Sequence, residues 1–559
     1  MAIYEKFIGR SRESFVSLKD CRENYKITYE PTFNYAYDVI DVLGTEKPDK
    51  LAMLWVSADG EEKRFTFGDM KRLSNKAANY FVSQGVKKGD PMILVLKRSY
   101  LFWVVTLALN KIGAIMVPVS NMLKAKDYLY RCNKAAIKYA LITGDDECTE
   151  YFDGAKDQYE TIVKKFVTKH KNVEGWIDFE EGFEKASEEW TRPEGDAATT
   201  VDDTMIINFS SGTTGYPKII THDFKYPLGH IMTGVFWHHV VDGGMHFTIS
   251  DTGWAKSLWG KYYGQWMGET ANFVYDFEKF DGADILEKIE KYKITTFCAP
   301  PTMYRMMLKN DVSKYDLSSI THCCTAGEAL NADIFNKWKE ATGLEIHEGF
   351  GMSETPVSIC TIYPWTKPLP GAIGFPAPGL DVHILDDDGN HCQRGTIGEI
   401  CIKSPSVKDH PCGILSGYNF DKEETAHAFR NGFFHTGDLA YRDEQGRFVY
   451  FGRNDDVIKS SGYRIGPFEI ESVMLEHPAV MEVAVTGVPD PVRGFVVKAT
   501  VVLRDGYEGS DELVKELQTY VKVNTAPYKY PRIVEFVDAL PKTFSGKVRR
   551  VAIRNGEKE

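Results

Sequence analysis

Residues 71–119, KRLSNKAANYFVSQGVKKGDPMILVLKRSYLFWVVTLALNKIGAIMVPV, decide the fold. Lys71 to Gln84 reads as a helix stopped by Gly85, and Pro91 to Leu96 is a short apolar run suited to a buried strand. Tyr100 to Ile112 is a second, apolar helix stopped by Gly113, and Ala114 to Val119 is the next strand. This alternation predicts a βαβ arrangement, with parallel strands covered by helices. It returns at Asp284 to Tyr292 (DILEKIEKY) followed by Ile294 to Cys298, so the α/β region extends past residue 300.

Short, Gly-rich, strand-like pieces (GLDVHILDDDGN, GTIGEICIKS, GRFVYFGRNDD) then predict a β-rich section between Gly379 and Asp456. After Arg453 the pattern changes. Gly466 to His477 and Asp511 to Asn524 read as helices; Met481 to Val488, Phe495 to Leu503 and Arg532 to Val537 read as strands. The expected class is α/β: a large N-terminal domain (1–454) of layered α/β sheets with a β-rich section, and a small α+β C-terminal domain (455–559).

A chain of 559 residues is too long for one ordinary core. Its net charge of −12 argues against a nucleic-acid partner, which needs concentrated Lys and Arg, but leaves room for a local basic pocket. The start, MAIYEKFIGRSRESF, lacks an apolar segment behind a basic one, and the most apolar run, Leu101 to Leu109, falls short of the roughly 20 residues a spanning helix needs. A cytoplasmic protein without a membrane span is expected. The ten cysteines include no CxxC pair, so neither a zinc site nor a disulfide framework is suggested.

The chemistry begins at SSGTTGYPK, which follows the apolar run Met205-Ile206-Ile207. Ser210, Ser211, Gly212, Thr213, Thr214, Gly215, Tyr216, Pro217 and Lys218 form a loop of glycines, hydroxyls and a terminal Lys suited to phosphate oxygens. It is not a Walker A loop, because Pro217 stands where that motif needs Gly and Ile219 follows Lys218. Alone, it reads equally as a surface turn. HHVVDGG (His238 to Gly244) and GFGMSE each lack a residue of the acyl-transfer and dinucleotide motifs they approach, and carry no weight.

Further segments follow in order: AGEAL (Ala326 to Leu330), EGFGMSET (Glu348 to Thr355), HTGDLAYRD (His435 to Asp443), GRNDDVIKSSGYRIGPFEIE (Gly452 to Glu471) and PKTFSGKVRR (Pro541 to Arg550). With SSGTTGYPK they resemble the successive signatures of the adenylate-forming enzymes. ISDTGW, APPTMYRMML, PDPVRG and APYKYPR make the resemblance closest to the medium-chain acyl-CoA synthetases. It covers nearly the whole chain. It implies that a carboxylic acid and ATP give acyl-AMP and pyrophosphate, and that coenzyme A then gives acyl-CoA and AMP, with Mg²⁺ required. Both half-reactions gather negative charge, so positioning and electrostatics dominate.

By this resemblance, Ser210 to Lys218 cradles the β- and γ-phosphates. Gly327, Glu328 and Ala329, with Glu348, Gly349, Phe350, Gly351 and Met352, form the adenine side, Phe350 offering a ring face. Ser353 meets the α-phosphate or acyl oxygen, Glu354 holds Mg²⁺, Asp438 and Arg453 hold the ribose, and Lys547 bridges carboxylate and α-phosphate. Asp455 is the implied hinge about which the small domain rotates between half-reactions. Ser461, Gly462 and Tyr463 then line the pantetheine path, and Arg464, Arg493, Lys522, Tyr530, Pro531 and Arg532 face the CoA nucleotide.

For the acid, Gly351 stands where acetate-specific relatives carry a Trp, which implies space for a medium-chain, branched or aromatic acid. Asn121, Trp254, Trp259, Tyr304 and Met352 are the other candidates for this pocket. Phe350, Met352, Ser353 and Lys459 depart from the usual Tyr, Gln, Thr and Asn. An enzyme loading a separate carrier protein, a non-catalytic nucleotide binder, and a homo-oligomer remain open at this level.

Overall fold

The computed structural model describes residues 1–210, 217–460, 463–543 and 547–556. The opening stretch folds as its pattern implies. The first helix, Phe67–Ser83, starts earlier than expected because Thr66 and Asp69 form a reciprocal capping box. The strands Pro91–Val95 and Ile115–Pro118 lie side by side and parallel, and the intervening helix Leu101–Ile112 is buried at every residue and ends at Gly113 with φ of 80°.

That helix is buried all round because it lies between two sheets. One has nine strands, with Ile346–Phe350, His322–Ala326, Thr296–Cys298, Met245–Thr248, Ala271–Asp276 and Leu51–Ser57 as its parallel centre. The other has eight, running from Gly417–Tyr418 through Lys218–Asp223, Thr204–Ser210 and Ile115–Pro118 to Ile177–Asp178. Strand alternation assigns the faces: Met53 and Trp55 of one sheet and Met92 and Leu94 of the other share a core with the two helices. Leu54 and Val56, and Ile93 and Val95, point to separate outer cores.

The β-rich section is an antiparallel five-stranded sheet built on Gly398–Lys403 and Phe433–Arg442. The C-terminal region forms its own five-stranded sheet around the long pair Val480–Asp490 and Gly494–Leu503, flanked by helices Pro467–Leu475 and Asp511–Asn524. The chain is thus a large N-terminal domain of mixed sheets followed by a small α+β one. Among the described residues no helix is long and apolar enough to cross a membrane.

Two buried helical segments cross with almost no separation: a Cβ on Gly264 would stand 2.1 Å from the His230 carbonyl oxygen, and one on Gly234 would stand 2.3 Å from the Gly264 backbone. Backbone cannot yield as a side chain does. Gly264→Ala is expected to destabilise the protein by about 1–3 kcal/mol or more, read from the urea midpoint; an unchanged midpoint would contradict the close crossing.

Candidate active site

The phosphate-loop segment joins two antiparallel strands in which Ser210 pairs with Lys218. Ser211, Gly212, Thr213, Thr214, Gly215 and Tyr216 lie outside the described residues. Pro217 accepts from the Tyr130 hydroxyl at 3.1 Å. Lys218 is ion-paired with Glu424 and lies 5.1 Å over the Tyr418 ring. The Tyr418 hydroxyl in turn donates to Glu354 at 3.2 Å, so strand pairing gathers Lys218, Tyr418 and Glu354 in one place.

Glu354 is buried, and burial raises its pKa; the Tyr418 hydrogen bond and the charges of Lys218 and Arg453 oppose this. The neighbouring Ser353 carbonyl lies 2.8 Å from His222 Nε2. A carbonyl only accepts, so His222 carries its proton on Nε2. Burial lowers its pKa to about 4, which keeps the ring neutral.

Asp438 and Arg453 face each other across the pair Phe433–Arg442 and Phe448–Arg453. Burial raises the Asp438 pKa, against the Arg453 charge, the Tyr450 hydroxyl at 2.8 Å and the Lys547 charge. Burial also works against the Arg453 charge, but Asp438 and Asp455 outweigh it and hold the guanidinium above its ordinary pKa. Lys547 is exposed, and its field reaches both Asp438 and Lys256 of the large domain. The C-terminal lysine therefore faces the same cleft as the ribose candidate.

On the adenine side, Gly327 has φ of 101° with open space around its missing side chain. Only glycine takes that conformation easily. Glu328 accepts from Thr302 at 2.8 Å, Ala329 is partly buried, and the Phe350 ring lies 6.3 Å from Tyr450.

Family models place this geometry. Residues 42–410 match the AMP-binding enzyme family and residues 469–547 match the AMP-binding enzyme C-terminal domain. The chain belongs to the AMP-binding enzymes. It is 38% identical over 564 residues to mitochondrial acyl-coenzyme A synthetase ACSM3 of Mus musculus, covering 99% of this chain and 96% of that protein. It is 39% identical over 534 residues to mitochondrial acyl-coenzyme A synthetase ACSM5 of Homo sapiens, covering 94% and 91%. A solved anthranilate CoA ligase, AuaEII with anthranoyl-AMP, superposes with a TM-score of 0.85 at 27% identity, over 95% of this chain and 98% of its own.

Several residues of this AMP-binding enzyme stand differently from the sequence expectation. A Cβ on Gly351 would meet the Pro356 carbonyl oxygen at 2.7 Å, so its missing side chain opens no pocket. The glycine that makes room is Gly349, where a Cβ would lie 2.6 Å from the Trp237 indole. Met352 packs toward the core of the third sheet, and Tyr304 is fully buried beside Trp338 and donates to the Cys324 carbonyl at 3.0 Å. The Asn121 side chain is held by Asp146, itself paired with Lys97. Trp259 does border the cleft, 6.0 Å from Trp237, and Trp254 caps its helix. Glu348 also differs: its carboxyl accepts from the Leu330 N–H at 3.2 Å, holding the Gly327–Leu330 turn rather than facing the slot.

On the small domain Tyr463 stacks on Tyr528 at 4.1 Å, while Lys522 and Arg532 lie 4.0 and 4.9 Å over the Tyr530 ring. Pro531 is buried and fixes the start of the strand that follows Arg532, and the Arg493 amide donates to Asp490 at 2.8 Å in a turn. Ser461 and Gly462 lie outside the described residues. Arg464 reaches Asp387 of the large domain at 3.4 Å. Asp455 bonds Arg453 at 3.1 Å, and its neighbour Asp456 is held by Arg550 and Arg554 of the last helix. His222, Tyr418, Tyr450, Trp237 and Lys256 escaped the sequence reading because no motif residue type marks them; only pairing across the sheets does.

Burial pushes the Glu348 pKa from 4.5 to about 8. In that window the folded chain keeps a proton the unfolded chain has lost, so stability falls as pH rises. Urea midpoints of wild type and Glu348→Gln, measured at about pH 5 and about pH 8, should diverge with wild type the weaker at the higher pH. Parallel midpoints would mean that Glu348 is not held protonated.

Proposed function

We propose that this acyl-CoA synthetase activates a medium-chain, branched or aromatic carboxylic acid, and that the residues above divide the work as follows. The acid's carboxylate oxygen attacks the α-phosphorus of ATP; the bond to the β-phosphate oxygen breaks and pyrophosphate leaves. CoA sulfur then attacks the acyl carbonyl, AMP leaves, and the thiol proton passes to solvent.

The observation that carries this reading is the convergence of Lys547 with Asp438, Arg453 and Glu354 on one cleft. Asp438 accepts from the ribose hydroxyls, with Tyr450 and Arg453 fixing its orientation. Lys218 exchanges its exposed partner Glu424 for the outer phosphates, an exchange that costs little because exposed pairs are weak. Ser353, held through its carbonyl by neutral His222, orients the α-phosphate, and Lys547 stabilises the charge that builds between carboxylate and phosphorus. Glu354 suits Mg²⁺: it is a buried hard oxygen donor close to the phosphate loop, and Mg²⁺ takes one or two carboxylates and fills its remaining places with phosphate oxygens and water. When bound, the ion neutralises phosphate charge.

Tyr463, Arg493, Lys522 and Arg532 form the CoA face once the small domain turns about Asp455, with the boundary between domains at 454/455. The aromatic walls Trp237 and Trp259 favour an apolar acid longer than acetate. For compartment, the cytoplasm is our reading, although the relatives above are named mitochondrial; imaging of the tagged chain decides it.

Pyrophosphate exchange with a panel of acids, followed by thioester assay with CoA, tests the reaction. Lys547→Ala should lose exchange by about 100- to 1,000-fold while still converting supplied acyl-AMP to thioester. Normal exchange in that variant would sink the assignment, and exchange in wild type without any CoA thioester would favour loading of a carrier protein.

A further inference from the structure

We propose that Lys256 receives the carboxylate of the acid, so that two lysines, one from each domain, grip the reacting group. The inference rests on the acid-activating reading above and adds a residue to it. Lys256 lies in the helix Ala255–Gly260, directly after Trp254. Its ammonium donates to the Ala326 carbonyl at 3.0 Å, at the end of the strand that leads into Gly327. The Trp259 ring lies 5.8 Å below it.

Three facts point to a missing anion. First, among the described residues Lys256 makes no ion pair, and Glu328, the acid whose field reaches it, is bonded to Thr302. An ammonium has three donors, and one carbonyl leaves it unbalanced. Burial accordingly lowers its pKa, and the Lys547 charge lowers it further. Second, the residue keeps partial access to solvent although its ammonium lies deep in the protein, so it borders the cleft. Third, the Trp237 Nε1–H is buried without a partner among the described residues, and lies 3.1 Å from where a Cβ of residue 349 would stand. A second donor is thus available in the same apolar surround.

Every acid substrate brings one negative charge, which would balance Lys256 and lessen repulsion from the ATP phosphates. Acyl-AMP has lost that carboxylate charge. Lys256 should therefore govern capture of the acid and matter little to the thioester step.

The test compares wild type, Lys256→Met and Lys256→Arg as full chains, in pyrophosphate exchange with straight-chain acids and in thioester formation from supplied acyl-AMP. Lys256→Met should raise the acid KM about 10- to 100-fold, with ATP KM and acyl-AMP conversion retained, and Lys256→Arg should recover most of the loss. An unchanged acid KM in Lys256→Met, beside an active wild type, overturns the inference alone. Equal damage to ATP KM and acyl-AMP conversion would assign Lys256 a structural role and overturn it. So would a loss confined to acids with a second acceptor group. Wild type inactive with every acid would instead remove the reading on which the inference stands.

Discussion

The site is built around one electrostatic difficulty: a carboxylate must approach a triphosphate, and both are anions. The large domain adds to this by burying two acids of its own, Glu354 and Asp438, whose pKa values burial raises. What keeps them usable as anions is a shared set of cations. Arg453 acts on both, Lys218 on Glu354 and Lys547 on Asp438. Each cation is therefore already part of a balance before a nucleotide arrives, and no pair can be judged alone. Removing a single buried partner leaves an uncompensated charge, which is why such sites respond to point changes more steeply than surface ion pairs do.

The same balance explains how the domains are joined. Inside the small domain the last helix is tied firmly, Arg550 placing two 2.7 Å bonds on Glu471 and Arg554 one of 3.0 Å on Asp456. Across the seam, Arg464 meets Asp387 at 3.4 Å, and the Asp387 side chain is 88% exposed. Exposed pairs of this kind contribute about 0–1 kcal/mol. A stiff unit on a weak attachment suits a lysine that serves one half-reaction and must then make way for the CoA face.

Much of this was legible in the sequence, for reasons that differ by residue. The helices around residues 67–112 are visible because apolar spacing and glycine stops are local, and the motif acids and Lys547 are visible because residue type and order identify them. What the chain does not print is register. Nothing local says that Asp438 faces Arg453, that Tyr418 reaches Glu354, or that His222 sits under Ser353. Gly351 shows the limit most clearly: a missing side chain is visible in sequence, but not its direction, which here runs into the Pro356 backbone. Gly349, two residues earlier on the same strand side, carries the space instead, and alternation along a strand could have suggested it.

The depth of the acid pocket follows from elements far from any loop. Trp237 forms its wall, and the indole is held through its own backbone: the Trp237 carbonyl accepts from His322 Nε2 at 2.9 Å and from the Cys324 thiol at 3.2 Å. Burial keeps His322 neutral, so its Nε2 proton is committed to that bond. The same helical segment is pinned from the other side where Gly234 and Gly264 touch. An exposed loop would let the pocket drift with small surface changes. A wall fixed by a buried imidazole, a thiol and two touching backbones does not, and a different acid size therefore demands repacking of the core around Trp237 rather than exchange of one lining residue.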